Sequence, residues 1–170
     1  PPRPPSSRPS RLQSVPAMAA NRGRSGWVGW PGVVEDYPLA AGGHPDAPDG
    51  PCLHLSVSAG ASSGGALAPL HAGSVWNSGV RLAELVESGF LREELRGRVV
   101  LELGAGAALP SLTLLASAGL GAEDAESAAG GLPLGLVISD FPSDELLGNI
   151  EENLRRNAGL IPPAFQPGRG

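Results

Sequence analysis

Residues 98–103, RVVLEL, run straight into Gly104-Ala105-Gly106, and this junction constrains the fold more than any other feature. A short β-branched run reads as a strand, and the glycines after it turn the backbone tightly. Residues 107–118 then carry Leu109, Leu112, Leu114 and Leu115, a helix apolar nearly all round and therefore buried. Pro110 suits its first turn, where a missing N–H costs nothing. Residues 136–140, LVISD, read as a second buried strand ending in an acid. Strand, glycine turn, helix and strand make one βαβ half, so the chain is expected to be α/β.

The flanks extend this pattern. Order is expected to begin near Val75, and Leu82, Leu85, Val86 and Phe90 share one helical face that Gly89 interrupts. Ser143 or Asp144 caps a last helix whose apolar face is Leu146, Leu147, Ile150 and Leu154. Glu151 with Arg155 and Glu152 with Arg156 are i,i+4 pairs in the favourable order. Asn157, Gly159 and Pro162-Pro163 stop that helix. Near residues 52–57, Leu53, Leu55 and Val57 alternate with His54 and Ser56, as in a short strand.

Composition bounds the rest. The chain has 170 residues with 25 Gly and 18 Pro, well above the usual share of roughly 7% and 5%, so long irregular stretches surround a modest ordered region. All 12 basic residues are Arg. Without lysine there is no P-loop, Schiff base or pyridoxal phosphate anchor. One cysteine, Cys52, excludes an intrachain disulfide and a multi-cysteine zinc site, and reads as a small hydrophobe. His44, His54 and His71 lie in loop-rich stretches without metal-ligand spacing, so no metal site is expected. No apolar run approaches a membrane span.

Charge divides the chain. Residues 1–34 carry +5 and the remainder −10, for a net −5. The acidic body argues against a nucleic-acid surface. The basic arm reads as a disordered tail, against a transit peptide, whose amphipathic helix its prolines would break, and against an RNA-binding arm. Met18, the sole methionine, offers a translation start. The expected organisation is a Pro/Arg/Ser tail over 1–26, a loop-rich extension over 27–70, a nucleotide-binding domain over 71–160 with an inserted loop at 119–135, and an irregular tail over 161–170. The absence of targeting signals points to the cytoplasm.

The chemistry lies in Glu102-Leu-Gly104-Ala-Gly106 followed by Asp140. Glycines let a ligand approach the backbone, a helix N-terminus offers free N–H groups, and an acid at the next strand tip accepts two ribose hydroxyls. Leu109 replaces the third glycine of a dinucleotide fingerprint, and Glu102 would repel a pyrophosphate but suits a cofactor with a cationic amino-acid end. Gly104 and Asp140 lie 36 residues apart, against about 20 in the dinucleotide pattern. A NAD-type oxidoreductase fragment is one alternative, and a non-catalytic interaction module is another.

VVLELGAGAALPSL, residues 99–112, resembles motif I of the seven-strand S-adenosylmethionine-dependent methyltransferases. VWNSGVRLAE, residues 75–84, and VISDFPSDELLGNIEENLRRN, residues 137–157, are similar to further phrases of methyltransferase family 16, the lysine-methyltransferase-like group. The likeness is nearest its branch of nicotinamide-N-methyltransferase-like, elongation factor 1-alpha N-terminal and lysine methyltransferases. Glu35-Asp36-Tyr37-Pro38 echoes an upstream acidic stretch of that family. The resemblance implies the N-terminal portion of a Rossmann-like seven-strand fold, truncated after the second βα unit, with sheet edges and apolar faces left uncovered. It also implies S-adenosyl-L-methionine as cofactor and a protein amine as acceptor, a lysine or N-terminus, with translation elongation factor 1-alpha as expected partner. Gly104 and Gly106 would pass under the methionyl part, Glu102 would lie near its amino end, and Asp140 would bind the ribose. Phe141 would lie beside the adenine, and Trp76, with Asn77 and Gly79, would wall the cofactor. Each has a plainer alternative: Trp76 as a core aromatic, Glu102 as a carboxylate one layer behind the ligand, Asp140 as a helix-capping acid. The resemblance assigns no catalytic base.

Overall fold

The computed structural model describes residues 34–39, 50–58, 74–120 and 132–166. Within these, strands β1 (Glu35–Pro38) and β2 (Cys52–Leu55) form an antiparallel pair. Helix α1 (Asn77–Glu87) and the single turn α2 (Arg92–Leu95) lead into β3 (Val99–Leu103). Helix α3 (Leu109–Leu120) crosses to β4 (Gly135–Ser139), and α4 (Asp144–Arg156) follows, with a 3₁₀ turn at Pro163–Phe165. β3 and β4 are parallel, registered from Val99 opposite Gly135 to Leu103 opposite Ser139. The βαβ unit read from the glycine junction is therefore present.

One core unites the elements. Leu109, Leu112, Leu115 and Ala116 of α3 are buried with Val80 and Ala83 of α1, Ile150 of α4, and Tyr37, Leu53 and Leu55 of the hairpin. The helix expected to be apolar all round is indeed the central one, because α1 and the hairpin both pack on it. The strands depart from expectation. Side chains alternate across a strand, and only one face of this sheet meets the helices. Val99 is 71% exposed and Leu103 74%, with Leu101 and Val137 also open. They are strands of a half-covered sheet among the described residues, rather than buried ones.

Two further local expectations change. α1 buries Val80 and Ala83, so the face carrying Leu82 is rotated toward a cleft and away from the core. On α4, the expected Glu152–Arg156 pair forms at 3.2 Å, while Arg155 also pairs with Glu152 where Glu151 was expected. Ser143 occupies the N-cap position of α4 without a side-chain cap bond. Of the inserted loop, 121–131 lie outside the described residues; 119 and 120 continue α3, Leu132 is buried with its carbonyl accepting from Gly97 N–H, and Gly135 already begins β4. The Pro/Arg/Ser tail, Trp27, Trp30, His44 and His71 also lie outside the described residues. No helix among the described residues is long and apolar enough to cross a membrane.

Ser56, just past the end of β2, is buried against α4. Its N–H donates to Asn153 Oδ1 at 2.9 Å, and its carbonyl accepts from Asn153 Nδ2 at 2.8 Å. Asn157 repeats the pattern at His54, accepting from its N–H and donating to its carbonyl, both at 2.8 Å. The match is geometric. Four helical residues advance about 6.0 Å, and two strand residues about 6.6 Å. Asn153 on α4 and Asn157 at its C-cap thus serve as hydrogen-bonding neighbours for the end of β2 and the residue after it. Burial and the nearby Asp36 carboxylate hold the Cys52 thiol, on the hairpin's outer side, above its ordinary value.

Candidate functional site

The β3–β4 register ends at Leu103 opposite Ser139, so the next residues, Gly104 and Asp140, emerge side by side. Ala105 N–H donates to the Ser139 carbonyl at 3.1 Å and ties the two strand tips together. Gly104 and Gly106 have φ of +65° and +56°, the left-handed region that glycine enters without steric cost. Ala108 completes the turn at φ 60°, a conformation rarely adopted by a residue with a Cβ. A Cβ added at Gly104 or Gly106 would meet no atom within 4 Å, so both face open space.

Asp140 spans this turn. One carboxylate oxygen accepts from Gly106 N–H at 2.6 Å, and the other from Phe141 N–H at 2.6 Å. The acid is therefore held at the strand tip, turned toward the glycines; no contact with α4 as a cap is seen. On the other side, Glu102 accepts from Ser111 N–H at 3.2 Å and from the Ser111 hydroxyl. Those bonds satisfy a first-turn amide of α3 and fix the strand to the helix start.

These groups border one cleft of about 620 Å³. Trp76, Glu102, Gly104, Gly106, Asp140 and Phe141 all line it, and Gly79 lies in its wall. Asn77 begins α1 but does not line the cleft. Trp76 stands at the N-terminus of α1, its carbonyl accepting from Gly79 and Val80 N–H, and the residue is 58% exposed. The plainer reading of Trp76 as a core aromatic is thereby excluded. Phe141, which lines the same cleft, is 52% exposed. Sequence reasoning missed the apolar part of the wall, Leu82, Val86, Leu91 and Leu95, and the role of Ser111. Leu82 and Val86 carried a signal, a helical spacing, which was read as core because a cleft wall and a core face have the same period.

Glu102 is the electrostatically marked group. Burial raises its carboxyl above the ordinary value, the Ser111 hydrogen bonds pull it back, and the Asp140 charge adds to the rise. A raised acid holds its proton in the folded state where the unfolded chain has released it. Its contribution to stability is then full at low pH and is lost as pH climbs from 4.5, the ordinary value, through the raised one. Glu102→Gln is expected to remove that decline. Urea denaturation of both proteins between about pH 4 and pH 7 checks it, and identical pH slopes would contradict the assignment.

No protein-family model matches the chain. Three curated relatives do, all protein N-terminal and lysine N-methyltransferases efm7. That of Schizosaccharomyces pombe is 35% identical over 86 residues, 51% of this chain and 28% of the relative. Those of Neurospora crassa and Emericella nidulans are 34% and 31% identical over 87 and 94 residues, 25% and 30% of the relatives' lengths. The aligned stretch thus spans little more than a quarter of each relative. A glycine turn beside an acid at a parallel strand tip fits a partial Rossmann-like fold, and over half its length the chain is similar to proteins named as methyltransferases acting on protein amines, which supports a methyltransferase family.

Proposed function

We propose that this chain binds S-adenosyl-L-methionine in the cleft between α1 and the β3–α3 turn and forms part of a protein N-methyltransferase. The observation that carries the reading is Asp140 seated beside Gly104 and Gly106, with its carboxylate at the mouth of a cleft that two aromatic rings border. The residues fit the group in three ways. The left-handed glycines leave open space where any Cβ would project, so an extended ligand can lie against the backbone. The Asp140 carboxylate accepts hydrogen bonds, as two ribose hydroxyls require. Glu102 lines the same cleft, where a cationic amino end would favour its ionised form and pair with it.

When bound, the cofactor supplies a methyl group on a sulfonium, with a neutral thioether as leaving group. The chain's own residues bind and orient. Trp76 and Phe141 present flat apolar surfaces that would cover a bound cofactor and shield it from water. Ser111 holds Glu102, and Asp140 holds the Gly106 amide. Positioning of this kind lowers the entropy cost of bringing two reactants together. The acceptor is a protein amine, a lysine or N-terminus, and translation elongation factor 1-alpha is the one to which the sequence resemblance points.

The rival reading as a NAD-type oxidoreductase fragment predicts a different ligand. Calorimetric titration of the 170-residue chain with S-adenosylhomocysteine and with NADH separates them. Saturable binding of the first and none of the second is expected. Binding of NADH alone, or of neither by a folded chain, overturns the proposal.

A further inference from the structure

The outer side of the hairpin carries a second cluster, none of whose residues lines the cleft. β1 and β2 are registered so that Asp36 lies directly opposite His54 and Pro38 opposite Cys52. Cys52 and His54 are two residues apart on one strand, so their side chains share a face. Asp36, a partner across the ladder, points to the same face, and His54 Nδ1 sits 2.6 Å from Asp36 Oδ1. A thiol sulfur, an imidazole nitrogen and a carboxylate oxygen all lie within 4.8 Å of one another.

We propose that Asp36, Cys52 and His54 form a three-ligand site for a divalent transition metal of the zinc type, with its fourth position open to water. The donor set suits that class: sulfur and imidazole ligands disfavour magnesium and calcium, which take oxygen. Charge also balances, since a thiolate and a carboxylate neutralise a dication. Tetrahedral ligands about 2.0–2.1 Å from zinc stand about 3.3 Å apart, so the Asp36–His54 contact has to widen by less than one ångström. The Cys52 sulfur, within 4.8 Å of both other donors, has to come to about 3.6 Å of them. No metal is needed to hold the backbone ready. The inner side of the hairpin is locked by buried Tyr37, Leu53 and Leu55. His54 is pinned at both its N–H and its carbonyl by Asn157. Ligands on so constrained a strand lose little freedom on binding.

Linear spacing hides this site, because its three donors are brought together by cross-strand register. A Cys-x-His pair and an aspartate sixteen residues earlier match no linear metal motif.

Cobalt(II) titration of the purified 170-residue chain tests the proposal, because a thiolate ligand gives cobalt a charge-transfer band that oxygen and nitrogen ligands do not. One equivalent of cobalt with that band, displaced by zinc, is expected. Cys52→Ser should abolish the band. His54→Ala and Asp36→Asn should each weaken binding by about tenfold or more, as losses around metal sites do. All three changes are on the outer side of the hairpin, and unchanged far-ultraviolet circular dichroism confirms that the variants fold. His44→Ala and His71→Ala should bind as the parent does. No thiolate band, full affinity in the His54 and Asp36 variants, or loss of binding in the His44 or His71 variants overturns the proposal. Cofactor titration is independent of this readout, so failure of one leaves the other standing.

Discussion

Replacing Asp140 by alanine should weaken S-adenosylhomocysteine binding by about a hundredfold. A hydrogen bond to a charged acceptor contributes about 1.5–3 kcal/mol, and the carboxylate can take two from a ribose. Two such bonds at the low end come to about 3 kcal/mol, roughly two powers of ten in affinity. The same substitution also frees the Gly106 amide that Asp140 now holds, so the turn loses a brace as well as a ligand contact. Asp140→Asn separates these effects. It keeps an oxygen acceptor and the shape but loses the charge, and a loss of about tenfold is expected. Calorimetry on the parent and both variants reads all three. Equal affinity in parent and Asp140→Ala would remove Asp140 from the binding site.

Asn153→Ala should cost about 3 kcal/mol of stability. Asn153 is fully buried, and its amide serves the Ser56 N–H, the Ser56 carbonyl and the Ala107 carbonyl. Truncation leaves the Ser56 N–H and the Ala107 oxygen without this partner, and each buried unsatisfied group costs about 1–3 kcal/mol. Asn149 still reaches the Ser56 carbonyl and softens the third loss. Against a total stability of about 5–15 kcal/mol for an ordinary domain, this is a large fraction. Asn153→Leu fills the volume but leaves the same groups unpaired, so it should be nearly as damaging. Arg155→Ala, on an exposed ion pair, should stay within about 0.5 kcal/mol. Urea unfolding measures all three, and a loss below 1 kcal/mol for Asn153→Ala would show that water replaces the lost bonds.

The cleft residues and the asparagine ladder differ in how far the chain itself announced them. Glu102, Gly104 and Gly106 are consecutive or nearly so, and Asp140 ends the next apolar run. A tight turn after a strand demands φ values that glycine tolerates, so the site's frame was legible from local chemistry. Asn149, Asn153 and Asn157 are also regularly spaced, at four residues, and that period was a usable signal. Its meaning depended on Ser56 and His54, about a hundred residues earlier, and nothing local says which strand a polar helix face will meet. The Asp36–Cys52–His54 cluster is the same case: alternation placed Cys52 and His54 together, but register alone brought Asp36 opposite.

Leu82 marks the boundary between the two kinds of knowledge. Its period said helix, and the helix is there. The period could not say whether its apolar face would be buried in a core or border a cleft, because both need the same spacing. Likewise, the β-branched runs of β3 and β4 specified strands, while exposure of Val99 and Leu103 was set by what packs on each face of the sheet. Periodicity, turn chemistry and charge act between residues a few positions apart, so the amino-acid sequence by itself determined the βαβ order, the existence of the helices and the glycine–acid frame of the cleft. Burial, strand register and the pairing of distant polar groups depend on where whole elements dock, and only the tertiary structure decided them.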